Sequence, residues 1–182
     1  MDSLWIEFLH LFGQGCFTAL QYHLGGPVGF HRHIVEWHSE GSFNGHDDLL
    51  AEALSCACML GRTETAEQLL NAGVDPYAGM KTGLSGPHYA VSVGRSDVVE
   101  LLLRRGIAIE VKNSYGGTLL GQALWSAAYE TKPEHPFIVE RLLEAGALVE
   151  PWMMDWWNEQ AISNDELKEL IASLLSNAVR SQ

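Results

Sequence analysis

Two cysteines and a run of histidines are the residues best suited to chemistry. Cys56 and Cys58 stand two positions apart, with His31, His33 and His38 upstream, and thiolates and imidazoles are the ligands that zinc takes. A helix through Cys56 and Cys58 turns their side chains roughly 200° apart, so the pair reads instead as compact apolar groups in a core. The same histidines, with His46, would serve as general bases or as a pH-sensitive set. No nucleophile with a placed partner, no phosphate-cradling glycine loop and no paired carboxylates accompany them. No catalytic residue, metal or cofactor is therefore expected, and a metal- or histidine-dependent enzyme or regulator built on Val28 to His46 is kept only as an alternative.

Charge narrows the partners. The 182 residues carry 23 acidic against 11 basic side chains, a formal net charge of −12, and Arg32 is the only basic residue among the first 61. Phosphates need clustered lysine and arginine, so nucleic acid is excluded as a partner, whereas a basic partner would be steered inward. Apolar residues make up 47% and charged ones 19%, which predicts a folded chain throughout. No apolar run approaches the roughly 20 residues that span a bilayer. The start, Met1 to Glu7, lacks the positive charge of a secretory signal, and three cysteines form too sparse and odd a set for a disulfide framework. A cytoplasmic location is expected.

What must position these residues is a repeat. Leu54 to Gly61 is followed by Ala66, Leu69-Leu70 and Gly73-Val74, and Pro87 to Gly94 by Val99, Leu102-Leu103 and Gly106-Ile107. Gly61 to Gly94 and Gly73 to Gly106 are both 33 residues apart, a period that marks stacked architectures. A third copy runs from Thr118 to Ala127, then Val139, Leu142-Leu143 and Gly146-Ala147, with a glycine spacing of 40. Its extra residues fall between Tyr129 and Pro136 and are predicted as a loop, because Pro133 and Pro136 oppose a helix. Each copy predicts two short amphipathic helices that bury their faces only by stacking on neighbours. Ala57, Cys58, Ala90 and Ala123 let first helices approach, and Gly73, Gly106 and Gly146 end each second helix in left-handed backbone.

The stretch Ser85-Gly86-Pro87-His88-Tyr89-Ala90-Val91, with the later Val99, Leu102-Leu103 and Gly106, resembles the ankyrin repeat and its motif T-P-L-H-x-A-A followed by V-x-x-L-L-x-x-G-A. Gly116 to Leu124 is similar to the Gly-Gly-Thr-x-Leu-Gly-x-Ala-Leu opening of bacterial ankyrin proteins. Glu52-Ala53 stands where the motif has Thr-Pro, and Asn113 where Asp is usual. The resemblance covers residues 47 to about 163 and implies an all-α ankyrin-repeat solenoid of helix-turn-helix units, with the His88 ring bridging neighbouring loop backbones. Residues 1–46 are expected as a degenerate helix pair, Leu4 to Leu24, and a long connection, Val28 to His46. Residues 47–163 hold the repeats and 164–182 a capping helix opened by Ser163-Asn164-Asp165-Glu166, all in one continuous domain.

Ankyrin folds present loop tips and the faces of their first helices to partners. The resemblance thus implies contacts at Lys81, Thr82 and Leu84 on one finger and at Ser114 and Tyr115 on the next. On the helices it implies Leu60, Ser92, Val93, Trp125 and Ser126, with Tyr115, Trp125 and Leu60 as the apolar anchors. Pro151-Trp152-Met153-Met154-Asp155-Trp156-Trp157 falls where a fourth finger would project. Trp152 and Trp156 are assigned to the partner, and bulky groups there are also expected to seal the last repeat. The expected function is non-catalytic recognition of a protein with a basic surface by a monomer. Alternatives are a bacterial immunity or antitoxin-like protein that masks a basic toxin, and self-association through the tryptophan-rich end.

Overall fold

Five helical hairpins and one leading helix account for the described residues, which are 3–13, 16–79 and 82–181 of a computed structural model. No strand occurs among them. Packing divides the chain into two compact units, Met1–Gly86 and Pro87–Gln182.

In the first unit, helix α1 (Ser3–Gly13) is followed by α2 (Phe17–His23), α3 (Gly26–Ser39), α4 (Asp47–Leu60) and α5 (Thr63–Asn71). α2 packs on α4 and α3 on α5, so the α2–α3 hairpin is a copy of the α4–α5 hairpin. His31 Nδ1 meets Thr65 Oγ1 at 3.0 Å, and Arg62 donates to Gln21, tying the two hairpins together. α1 leans on α2 and extends the core with an aromatic cluster in which Trp5 meets Phe8, Trp37 and Phe43 at ring separations of 5.0–5.1 Å.

The expected connection from Val28 to His46 is therefore corrected: most of it is α3. Phe30, Ile34 and Trp37, spaced four and three apart, form its buried stripe, and Pro27 sits in the first turn, where its missing N–H costs nothing. The hairpin closes as the recognised repeats close. Gly41, Gly73, Gly106 and Gly146 all have positive φ, between 67° and 94°. In each case the glycine N–H bonds the carbonyl three residues back, and the next residue's N–H bonds the one five back. This is the Schellman closure that a side chain at the glycine would strain. Gly41 precedes Gly73 by 32 residues, so the signal for this extra repeat was present in the glycine spacing.

The second unit continues with α6 (Gly86–Ser92), α7 (Ser96–Arg104), α8 (Leu119–Tyr129), α9 (His135–Glu144), α10 (Pro151–Glu159) and α11 (Asp165–Ser181). First helices α6, α8 and α10 form one row, and second helices α7, α9 and α11 the other. Between the rows lie Leu102, Leu119, Leu124, Ile138, Leu142 and Trp157, all buried. Arg141 of α9 pairs with Glu100 of α7 and Glu144 of its own helix. Asn164 Oδ1 accepts the Leu167 N–H at 3.0 Å and caps α11.

Two expectations fail here, both through proline. Pro151 to Trp157 is not a finger but helix α10, because proline at a first helical position is pre-set for a helix rather than opposed to it. The insertion loop likewise ends earlier than Pro136, which lies in the first turn of α9. Residue 94 must stay small for this loop to pass: a Cβ on Gly94 would stand 3.1 Å from Lys132 Cβ.

Candidate functional site

The cysteine and histidine set does not assemble into a metal centre. Cys56 and Cys58 lie fully buried in α4. Burial pushes the Cys58 thiol up to about 12 and Cys56 well above the ordinary value, so both are held as protonated thiols. His31, His33 and His38 lie on α3, where His31 meets Thr65 and His33 stacks on Trp37 at 5.3 Å. Among the described residues no group of three His, Cys, Asp or Glu side chains is placed to hold a metal ion. A recess between α6, α7 and α8 is lined by apolar residues such as Pro87, Val91, Val99 and Leu119, and offers no group for chemistry.

Three of the expected partner contacts are not at the surface and are corrected. Leu60 is only 7% exposed and belongs to the core. Ser92 and Ser126 are buried and meet each other at 3.0 Å across α6 and α8. Gln122 Nε2 donates to both hydroxyls, and its Oε1 accepts from Asn113 Nδ2 at 3.0 Å. These groups satisfy one another inside the repeat stack, where an unpaired polar group would be costly. Lys81 lies outside the described residues. Thr82 is exposed and Leu84 half-buried in the first unit; Val93 is half-buried in the second.

The substitution of Asn113 for Asp now has a physical reason. Its Oδ1 accepts the N–H groups of Tyr115 and Gly117 at 2.9 and 3.0 Å, as a carboxylate would, while its amide adds the bond to Gln122 that Asp cannot give. The turn so tied lifts Ser114 and Tyr115 outward, and Tyr115 is 78% exposed.

Aromatic side chains of the first-helix row form the other exposed feature. Trp125 and Tyr129, one turn apart on α8, meet at a ring separation of 5.1 Å, and Tyr129 meets Trp156 of α10 at 6.3 Å. Trp125 and Tyr129 are 45% and 59% exposed, and Trp156 is half-buried. The Tyr129 hydroxyl donates to Gln160 Oε1 at 2.8 Å, and Gln160 Nε2 donates to the Trp156 carbonyl at 2.7 Å, so one amide ties the Tyr129 ring to the backbone of α10. The sequence reading missed Tyr129 and Gln160. Trp125 and Tyr129 at i, i+4 were the available signal for the first, whereas Gln160 acts through a loop geometry that no spacing reveals. The tryptophans divide: Trp157 is fully buried and donates from Nε1 to the Lys168 carbonyl at 3.1 Å, while Trp152 is 50% exposed beside Glu150.

Two other histidines hold the stack. His88 Nε2 donates to the Gly117 carbonyl at 3.2 Å, the loop bridge that the resemblance implies. His135 Nδ1 accepts the Lys132 N–H at 3.1 Å, which leaves Nε2 to donate to the Ser92 carbonyl, also at 3.1 Å. Burial lowers the pKa of both rings below the ordinary value, against an opposing contribution from their backbone hydrogen bonds. The native state therefore binds fewer protons than the unfolded chain below about pH 6.5, and stability present above that value is lost as pH falls. Urea midpoints should decline as pH falls from about 6.5, with the ring NMR signals of His88 and His135 titrating below those of solvated histidines. A midpoint that stays level as pH falls would contradict this.

A stack of helical hairpins with an unburied aromatic row and hydrogen-bonded finger defines a helical-repeat binding scaffold. The family described as Ankyrin repeats (3 copies) matches residues 28–113 and again 54–153, and the chain belongs to the ankyrin-repeat family. Such repeats are protein–protein interaction scaffolds, generally without catalysis. The chain is similar to the E3 ubiquitin-protein ligase hecd-1 of Caenorhabditis elegans, 36% identical over 77 residues, which cover 42% of this chain and 3% of that protein. It is also similar to the Ankyrin repeat-containing protein P1E11.10 of Schizosaccharomyces pombe, 35% identical over 60 residues, 33% of this chain and 29% of that one. The similarity thus spans less than a third of either relative. No helix among the described residues is long and apolar enough to cross a membrane.

Proposed function

We propose that this chain recognises a protein with a basic surface and carries out no catalysis itself. The observation that supports this best is the row of exposed Trp125 and Tyr129 and half-buried Trp156 on α8 and α10, with the Tyr129 hydroxyl bonded to Gln160. Aromatic area held on rigid helices contributes contact surface with little further ordering, and contiguous exposed apolar surface marks interaction sites. Tyr115 adds reach from a turn that is hydrogen-bonded before any partner arrives. We assign Val93, Ser114 and Trp152 of the same unit as further contacts, and Thr82 and Leu84 as contacts that the first unit makes by itself. The net charge of −12 favours encounter with a basic partner and suppresses acidic ones.

Site-specific photo-crosslinking tests the reading. With p-benzoylphenylalanine in place of Tyr115 or Trp125, one partner protein should be captured, and excess unmodified protein should compete it away. The same probe at Tyr22, 82% exposed in the first unit, should capture none. Equal capture at all three positions would overturn the assignment.

A further inference from the structure

We propose that the Trp125–Tyr129–Trp156 row is an arginine platform, taking the guanidinium of a basic partner segment; this rests on the recognition reading above and specifies its chemistry. Ring geometry is the first reason. Trp125 and Tyr129 are inclined at 43°, and Tyr129 and Trp156 at 57°. Rings tilted in this way do not cover each other face to face, and Trp125 and Tyr129 are exposed while Trp156 is half-buried. A cation over such a face is attracted by the ring quadrupole, most strongly for tryptophan.

The second reason is that the platform is built rather than incidental. Gln160 spends its oxygen on Tyr129 and its nitrogen on the Trp156 backbone, and Lys168 Nζ donates to the carbonyls of Asn158 and Gln160, closing the end of α10. The Tyr129 ring is thus held before binding, on a closed end of α10 that carries Trp156, which removes part of the ordering cost.

Charge is the third. Glu130 follows Tyr129, and Asp155 and Glu159 lie on the helix of Trp156; all three are exposed, and none is in an ion pair among the described residues. A planar guanidinium lies flat on a ring and still directs five N–H donors outward toward carboxylates. An ammonium is compact and more strongly hydrated, so it uses a flat platform less well. An apolar side chain would leave the carboxylates without a counter-charge, and an acidic one would be repelled.

The test uses the full chain and a capped Gly-Ser-Arg-Ser-Gly peptide, with a citrulline version as the neutral, isosteric control. The arginine peptide should shift the indole N–H NMR signals of Trp125 and Trp156 saturably and leave that of buried Trp157 in place. Exchanging arginine for citrulline, or Trp156→Leu in the protein, should weaken binding roughly fivefold. Gln160→Leu, with Trp157 unshifted as proof of folding, should weaken it too, because Tyr129 is released. Equal binding of the citrulline peptide, or shifts confined to other residues, would overturn the platform. If that happens while crosslinking at Tyr115 and Trp125 still captures one partner, recognition stands and only its arginine chemistry falls; if crosslinking fails as well, both fall.

Discussion

Replacing Trp157 with alanine should lower the unfolding free energy of the Pro87–Gln182 unit by about 3–5 kcal/mol, the range for truncating a large buried aromatic. The ring is fully buried, and its N–H bonds the Lys168 carbonyl, joining α10 to α11. Truncation removes the transferred area, leaves a cavity that the last hairpin only partly closes, and breaks that link. Trp152→Ala, one turn and a residue earlier on the same helix and half exposed, should change stability by no more than about 0.5 kcal/mol. Urea denaturation followed by circular dichroism compares the two. Similar losses for both would show that Trp157 does not seal the end of the stack.

Gly29→Ala should act against the usual rule. Inside a helix this change ordinarily stabilises by about 1 kcal/mol, and Gly29 lies within α3. Here a Cβ would fall inside the Leu24 carbonyl, a backbone group without a rotamer to escape through. The turn between α2 and α3 must open, at a cost of about 2–3 kcal/mol to the Met1–Gly86 unit. A urea midpoint that rises, or stays at the wild-type value, would mean that the two helices have room to spare.

The repeats from α4 to α7 were legible because two glycines recur at one spacing, and α8–α9 because Val139, Leu142-Leu143 and Gly146 repeat the order of Val99, Leu102-Leu103 and Gly106 across a longer gap. α3 was not, although Gly41 repeats the left-handed closure, because Gly26-Pro27-Val28-Gly29 at its start has loop composition. Its glycines are there for the tight turn and the close carbonyl, not for flexibility. α10 was hidden by Pro151, which starts a helix in one context and breaks one in another. Within the site, Tyr115, Trp125 and Trp152 are exposed while Trp157 on the same row of first helices is buried, a division that residue type alone does not give. Leu60 was misplaced because the end of its helix turns it into the core, and Ser92 and Ser126 because a serine at a first-helix position is equally suited to face solvent or to bond a serine in the next repeat. Only the partner hydroxyl decides between them.

The seven-residue lengthening between α8 and α9 also makes one joint of the array tolerant of cargo. Thr131 fastens one end by donating to the Ala127 carbonyl, and His135 fastens the other through Lys132 and Ser92. Doubling a loop adds only about 0.6 kcal/mol of closure entropy. Foreign peptide grafted between Pro133 and Glu134 would therefore be displayed from a clamped base.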